Sequence, residues 1–548
     1  MKINKFNIKT LLLIFVVGLL LFNACKDNEE VFPRTRLFQP VLNEDLEAFD
    51  NTIHVNLAKL KQAENYTIEV SRDSFATEPI YSFAVDTNEF IIDESVIGEE
   101  LLWFTIYQVR ATAHADEAQY NSLPSLLGSI RTDKFPSNQG APGLFDVTDT
   151  RARVFWTPSG APITAVKVYS IEDERLANPL STFDVTDEDR EAQMKIVNGL
   201  EAETEYQMAI FSEGNLRGWE IYTTKVAQET GDHIIDLSGL EDGFVLADTL
   251  ADVADGSVIR LEGGKTYEAG GYAFDKSISF IAGYSFTPAL PIIDCGSNFN
   301  IVEGSNVSYV TFKSVKLTAA DGFGGRYVFN IDVSGSVGEI KFESCEIRTL
   351  RGISRIKGGE GVLDKFTIDN CVIDSINGYG VLAVDKNSWK CNDISITNST
   401  LSKVIYFLVS RNNSNSILID ACTLNEVPEK GRQLLRWRES GQDEVLNGVT
   451  ISNSIIGHGW NKDGGEDYLI DGYDGMANTT FNVVNTYVTS DFGYGEGKDE
   501  IPGLTTFTYP GTAAELWTDP YFTLDFSFLD TGFSGKADSG DPRWRITL

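Results

Sequence analysis

Phe342-Glu-Ser-Cys345-Glu-Ile347 is one copy of a phrase that keeps returning. The others are Ile368-Asp-Asn-Cys371-Val-Ile373, Ile396-Thr-Asn-Ser399-Thr-Leu401, Ile419-Asp-Ala-Cys422-Thr-Leu424, Ile451-Ser-Asn-Ser454-Ile-Ile456 and Val483-Val-Asn-Thr486-Tyr-Val488. Each copy is an apolar residue, two small or polar residues, a Cys, Ser or Thr, one variable residue and an aliphatic. The Cys/Ser/Thr positions lie 26, 28, 23, 32 and 32 residues apart, and an earlier copy runs Phe312-Lys-Ser-Val315-Lys-Leu317. A β-rich repeat of this length marks a solenoid, with short strands that face one side inward. The drift in spacing predicts loops of varying length on one side. The fold expected is a right-handed parallel β-helix.

At 548 residues the chain exceeds one ordinary core, so several domains are expected. A hydrophobic content of 42% and 48 glycines suit a folded, turn-rich β protein. The net charge of −35 argues against nucleic acid as a partner, because the chain repels phosphates wherever no local basic patch intervenes. Three of the six cysteines, 345, 371 and 422, share the repeat column with Ser and Thr. That pattern predicts small, inward, stacked side chains. Neighbouring rungs about 4.8 Å apart also leave a Cys345–Cys371 disulfide open. No CxxC or histidine cluster accompanies the cysteines to hold a metal.

Residues 1–24 carry Lys2, Lys5 and Lys9, then the apolar run Leu11–Phe22, which reads as a secretory signal rather than a mature membrane helix. Its end, Leu21-Phe22-Asn23-Ala24-Cys25, resembles a lipobox, which implies lipidation at Cys25. The acidic tether 25–32, with Lys26-Asp27-Asn28-Glu29-Glu30, resembles the signal that sends lipoproteins of Bacteroidetes-type bacteria to the cell-surface face of the outer membrane. Residues 33–133 form a first module of alternating strands, among them Ile53–Leu57, Tyr66–Val70 and Trp103–Ala113. A second module, 138–230, repeats the plan. There Gly199-Leu200 followed by Tyr206 resembles the tyrosine corner of fibronectin type III sandwiches. The first module has no such Gly-Leu pair.

The β-helix, with a C-terminal cap, is expected over 231–548. Gly256-Ser-Val-Ile-Arg-Leu-Glu-Gly-Gly-Lys-Thr-Tyr267 resembles the opening rungs of pectate-lyase-like helices, and Trp517-Thr-Asp-Pro520, Asp525–Phe528 and Gly540–Trp544 read as the cap. Together these features resemble an uncharacterised family of Bacteroidetes-type surface lipoproteins with fibronectin type III-like modules and a pectate-lyase-like parallel β-helix. That resemblance implies an all-β fold of two sandwiches followed by a solenoid, and a link to polysaccharide utilisation beside glycan-uptake proteins of the outer membrane.

Chemistry is expected on the second strand of each rung. Aligning Ser354–Lys357, Ala383–Lys386, Leu408–Arg411 and Leu435–Arg438 puts Lys357, Lys386, Arg411 and Arg438 in one column, with Arg355 and Arg436 two residues earlier on the same face. Stacked like charges are unfavourable by up to about 1 kcal/mol per neighbour unless something neutralises them. An acidic polysaccharide would do so, since guanidinium forks suit carboxylates. The alternative is an ordinary solvated face paired with local acids such as Asp385, Glu360 and Glu439. Trp437, Tyr379, Tyr406, Trp460, Tyr468 and Tyr473 are candidates to stack on sugar rings.

If the chain also cleaves uronates by β-elimination, it needs a base and a cation for the developing enolate. Lys357 or Lys386 with Arg411 would fit the pattern of pectate-lyase-like and alginate-lyase-like enzymes, which commonly add calcium. Paired acids of the hydrolase type are missing from the rungs. Asp463, Glu466 and Asp467 offer oxygen ligands suited to calcium, without the spacing of a helix–loop–helix calcium loop. The four histidines are scattered, and no phosphate-binding glycine loop is present. A structural or adhesive protein with an inert basic column is the third reading.

Overall fold

The computed structural model describes residues 34–546. The expected signal, tether and Cys25 lie outside those residues. Among them, no helix is long and apolar enough to cross a membrane.

The first module is a sandwich whose sheets alternate cleanly between core and solvent. Strands β1 (Leu42–Phe49), β2 (Thr52–Leu57) and β5 (Glu89–Ile92) make one sheet; β4 (Tyr81–Val85), β3 (Asn65–Ser71), β6 (Ile106–His114) and β7 (Ser125–Arg131) make the other, in that order. Ile53, Val55 and Leu57 from one sheet and Ile68, Val70, Val109 and Ala111 from the other are buried in a shared core. Each fully buried aliphatic contributes roughly 1.5–3 kcal/mol. The Tyr107 hydroxyl accepts the Leu102 N–H at 2.9 Å. This is a tyrosine corner built without Gly-Leu.

In the second module β8 (Arg151–Phe155) pairs with β11 (Met194–Asn198). Strands β10 (Ser181–Asp184), β9 (Ala165–Ser170), β12 (Glu205–Ser212) and β13 (Asn215–Thr223) make a four-stranded sheet, the same strand order as before. Here the Tyr206 hydroxyl accepts the Glu201 N–H at 2.9 Å. The fold is therefore all-β, with fibronectin type III-like modules ahead of a parallel β-solenoid.

The solenoid stacks its strands in two long parallel sheets, one of ten strands running from Ile234–Asp236 to Phe481–Val484 and one of fifteen. The repeat read from sequence is its register: Phe342 pairs with Ile368, Ile368 with Ile396, Ile396 with Ile419, Ile419 with Ile451 and Ile451 with Val483. Between the two sheets the chain turns on one left-handed residue, Ser344, Asn370, Asn398, Ala421, Asn453 or Asn485, all with φ of 44–55°. Asparagine and serine recur there because short polar side chains tolerate that conformation best after glycine.

The next residue points inward and serves the rung before it. Ser399 Oγ accepts the Cys371 N–H, and Ser454 Oγ the Cys422 N–H, each at 3.0 Å; Cys371 Sγ takes the Cys345 N–H at 3.3 Å. The column thus requires a small acceptor, which explains the Cys/Ser/Thr alternation. All five cysteines among the described residues are free and buried, and no disulfide joins Cys345 to Cys371. Stacked phenylalanines continue the core, Phe280 on Phe312 at 5.0 Å and Phe312 on Phe342 at 5.4 Å. At the C-terminal end Trp517–Asp519 pairs antiparallel with Asp525–Phe528. Trp517, Phe526 and Phe528 form a small apolar cluster there with Ile455.

Candidate functional site

The candidate site lies where the second-sheet strands run on past a bend. Strands Glu346–Ile356, Val372–Val384, Leu408–Ser410 and Gln433–Trp437 stack in parallel. Their register places Arg355, Ala383, Val409 and Arg436 in one outward column. Two residues on, Lys357, Asp385, Arg411 and Arg438 follow on the same face; the backbone ladder continues from Asp385 N–H to Ile356 O and from Arg438 N–H to Ser410 O. The expected Lys386 is therefore out of the column. Asp385 takes its place, and Lys386 is exposed in the turn that follows. An unbroken ladder of like charges does not exist, since the rung of Val372–Val384 contributes an acid at that position.

Asp385 is the hub of the face. It accepts from Arg355 Nη2 at 2.9 Å and from Arg438 Nη2 at 2.6 Å, and Arg411 Nε stands 3.4 Å away. Burial pushes its carboxyl up, but these guanidiniums more than offset that and hold it below the usual carboxylate range. Burial, together with Arg411 and Arg436 nearby, pulls the Arg438 guanidinium below its usual value despite Asp385. Three guanidiniums on one carboxylate leave a net positive centre in a chain of −35. The outer arms have looser partners: Arg411 with Glu439 at 3.3 Å, Arg436 with Asp474 at 3.5 Å and Lys357 with Asp332 at 3.4 Å. Such half-exposed pairs are worth about 0–1 kcal/mol and exchange readily.

Two tyrosines complete the site. Arg355 lies 3.7 Å and Arg351 4.9 Å above the Tyr379 ring; Arg432 lies 5.1 Å and Arg436 5.9 Å from the Tyr406 ring. Between them is an open pocket of about 400 Å³, lined by Arg351, Arg436, Arg438, Asp385 and both tyrosines over Ala383 and Val409. Arg351 was not among the sequence candidates. It lies before the aligned segment and reaches the pocket because its long strand is shared by both parts of the rung. Among the described residues it makes no ion pair.

Trp437, expected to stack on sugar, is 1% exposed. It follows Arg436 by one residue, so strand alternation turns it into the solenoid core with Ile356 and Val384. Of the other aromatics, Trp460 meets Phe323, Tyr468 meets His458, and Tyr473 packs on Phe481 and the core. Only Tyr379 and Tyr406 of the expected set line the pocket. Asp463, Glu466 and Asp467 are exposed, and Asp467 stands 3.8 Å from Lys430. They are not brought together as a calcium site: no group of three or more His, Cys, Asp or Glu side chains among the described residues is placed to hold a metal.

A second polar cluster lies by the cap. The Tyr521 hydroxyl and His458 Nε2 are 2.9 Å apart, while His458 Nδ1 donates to the Gly459 carbonyl at 2.8 Å. Lys403 Nζ donates to the Tyr521 carbonyl at 2.6 Å. Glu426 is enclosed beside them, and burial, with Asp374 nearby, pushes its carboxyl up to about 7 against the opposing pull of Lys403.

Residues 265–404 match the model of a domain of unknown function, DUF4957. No curated protein matches the chain. The chain is similar to the FN1–FN3 domains of chicken CNTN1, at 15% identity over 35% of this chain and 67% of that one, with a TM-score of 0.17. It is also similar to a two-domain fibronectin type III segment of chicken tenascin, at 18% identity over 34% of this chain and 99% of that one, with a TM-score of 0.15. The sandwich assignment rests on strand order and the two tyrosine corners instead.

Proposed function

We propose that this chain is a cell-surface lipoprotein, anchored through Cys25, that holds an acidic polysaccharide of the pectin or alginate kind on the outer face of its solenoid. Its place would be in a polysaccharide-utilisation system, beside proteins that take glycans across the outer membrane. One observation carries the reading: in a strongly acidic chain, Arg351, Arg436 and Arg438 line one open pocket with Tyr379 and Tyr406, and Arg355 stacks on the Tyr379 ring beside it. Guanidinium forks meet carboxylates in pairs, and tyrosine faces meet the apolar faces of sugar rings. The fibronectin-like modules act as spacers that carry the solenoid away from the anchor.

Affinity electrophoresis tests this. Polygalacturonate or alginate in the gel should retard the protein, and neutral glycans should not. The double variant R351A/R436A should migrate unretarded while keeping the wild-type circular dichroism. Equal mobility in acidic and neutral gels would refute the reading.

A further inference from the structure

The pocket has two ends and a different middle. Arg355 and Arg436 share one outward column three rungs apart, with only Ala383 and Val409 between them. At about 4.8 Å per rung, their backbones stand roughly 14 Å apart. Ala383 is 3% and Val409 7% exposed, so the floor between them is short and apolar. Each end has its own ring and its own pair of guanidiniums, Arg351 and Arg355 on Tyr379, Arg432 and Arg436 on Tyr406. Asp385, on the Ala383 rung, lines the pocket between the ends. That carboxylate already engages two guanidiniums, Arg355 at 2.9 Å and Arg438 at 2.6 Å. By contrast, Arg351 at one end makes no ion pair among the described residues, and Arg436 at the other has only a loose one to Asp474, so guanidinium is open to an anionic group at the ends.

We propose that the pocket is a two-anion clamp, an inference that rests on the acidic-glycan reading above. One glycan chain lies along the solenoid axis, with an anionic group at the Tyr379 end and a second at the Tyr406 end. An uncharged stretch of sugar crosses Ala383 and Val409. Carboxylates of uronic acids and sulfate esters both have the required chemistry. Once one end is engaged, the second contact is intramolecular, and such linkage raises affinity by about 10²–10⁴ without new kinds of contact. A ligand with one anionic group gains one end only. The pocket therefore selects glycans by the spacing of their charges along the chain as well as by their number.

Calorimetric titration of the full-length protein tests the clamp. The probes are galacturonic acid, oligogalacturonates of increasing length, the same oligomers after carboxyl reduction, and a sulfated oligosaccharide series. Affinity should step up by about 100-fold or more at the first length that reaches both ends, then level off. R351A and R436A should each remove the step, bringing long oligomers to the affinity of short ones. Arg351 has no ion pair to lose and Arg436 a half-exposed one, so both variants should keep the wild-type melting temperature.

A step seen only with uronates assigns carboxylate recognition, and one seen only with sulfated oligomers assigns sulfate; either supports the clamp. Binding of the polymer with affinity rising smoothly with charge, or a step that survives R436A, overturns the clamp alone. If no anionic oligomer or polymer binds, the clamp and the acidic-glycan reading fall together.

Discussion

Two outward columns on the stacked second-sheet strands of the solenoid meet different fates. One runs through Arg355, Ala383, Val409 and Arg436, and its last three residues line an open pocket. The other runs through Asp374, Ser402 and Asn425 towards Gly457 and Thr489, and Ser402, Asn425 and Thr489 are fully buried. The C-terminal segment covers it, with Trp517 against Gly457, and also covers the column two residues earlier that holds Thr400 and Thr423. Trp544 Nε1 donates to Thr400 Oγ1 and Thr400 Oγ1 to Asp541 Oδ2, each at 2.7 Å, and Asp541 N–H donates to Thr423 Oγ1 at 2.9 Å. Both columns alternate out of the core in the same way. What separates an open face from a packing face is the strap that lies over one of them.

The largest effect is expected at Trp437, which points inward beneath the open face. Trp437→Ala should cost about 3–5 kcal/mol of stability by leaving a core cavity, measured by denaturant unfolding. Affinity of the folded fraction for acidic glycan should stay as it was. A loss of affinity with unchanged stability would place Trp437 on the wrong side of the sheet.

On the covered face, Glu426 makes stability depend on pH. Its carboxyl is pushed up to about 7 from the ordinary 4.5. A raised carboxyl is protonated in the folded state while the unfolded chain is already ionised. Its favourable state is fully present below about pH 4.5 and is lost as pH rises through about 7. Glu426→Gln removes that loss, so it should stabilise the protein by roughly 2–3 kcal/mol at pH 8 relative to its effect at pH 4.5. Melting temperatures of both proteins across that range check the sign. A variant equally displaced at both pH values would contradict it.

A smaller effect sharpens the role of the strap. Thr400→Val removes the hydroxyl that joins Trp544 and Asp541, and should cost about 1–3 kcal/mol while sparing glycan binding. Hydrogen exchange should rise first in the C-terminal segment. The smallest effect is expected at Lys386, outside both columns: Lys386→Ala should change glycan affinity less than twofold by calorimetry. A drop as large as that of R436A would restore the column read from sequence.

Much of this architecture is legible in the sequence because the repeat carries its own physics. The apolar position, the small polar residue and the Cys/Ser/Thr position report in turn a core contact, a left-handed turn and an internal acceptor for the neighbouring rung. The basic face is less legible. Offsets along the rungs vary with loop length, and a slip of one residue exchanges Asp385 for Lys386 and turns the neighbouring side chain from one face to the other. The same alternation hides the burial of Trp437. Arg351 escaped because it lies before the aligned segment and meets Tyr379 only in three dimensions. The first module's corner escaped because Glu100-Leu101 stands where the second module has Gly199-Leu200, while Tyr107 still accepts a backbone N–H five residues back. No periodicity within the repeat foretells the strap, because its contacts join residues more than a hundred positions apart.

The most direct measurement is the salt dependence of retention of the full-length protein and its R351A/R436A variant on immobilised polygalacturonate, with a neutral glycan matrix as reference. The wild-type protein should be retained at low salt, its retention should fall as salt screens guanidinium–carboxylate contacts, and the variant should not be retained. Retention of the variant equal to that of the wild-type protein, or equal binding of the wild-type protein to the neutral matrix, would contradict a glycan-binding role for the arginine–tyrosine face.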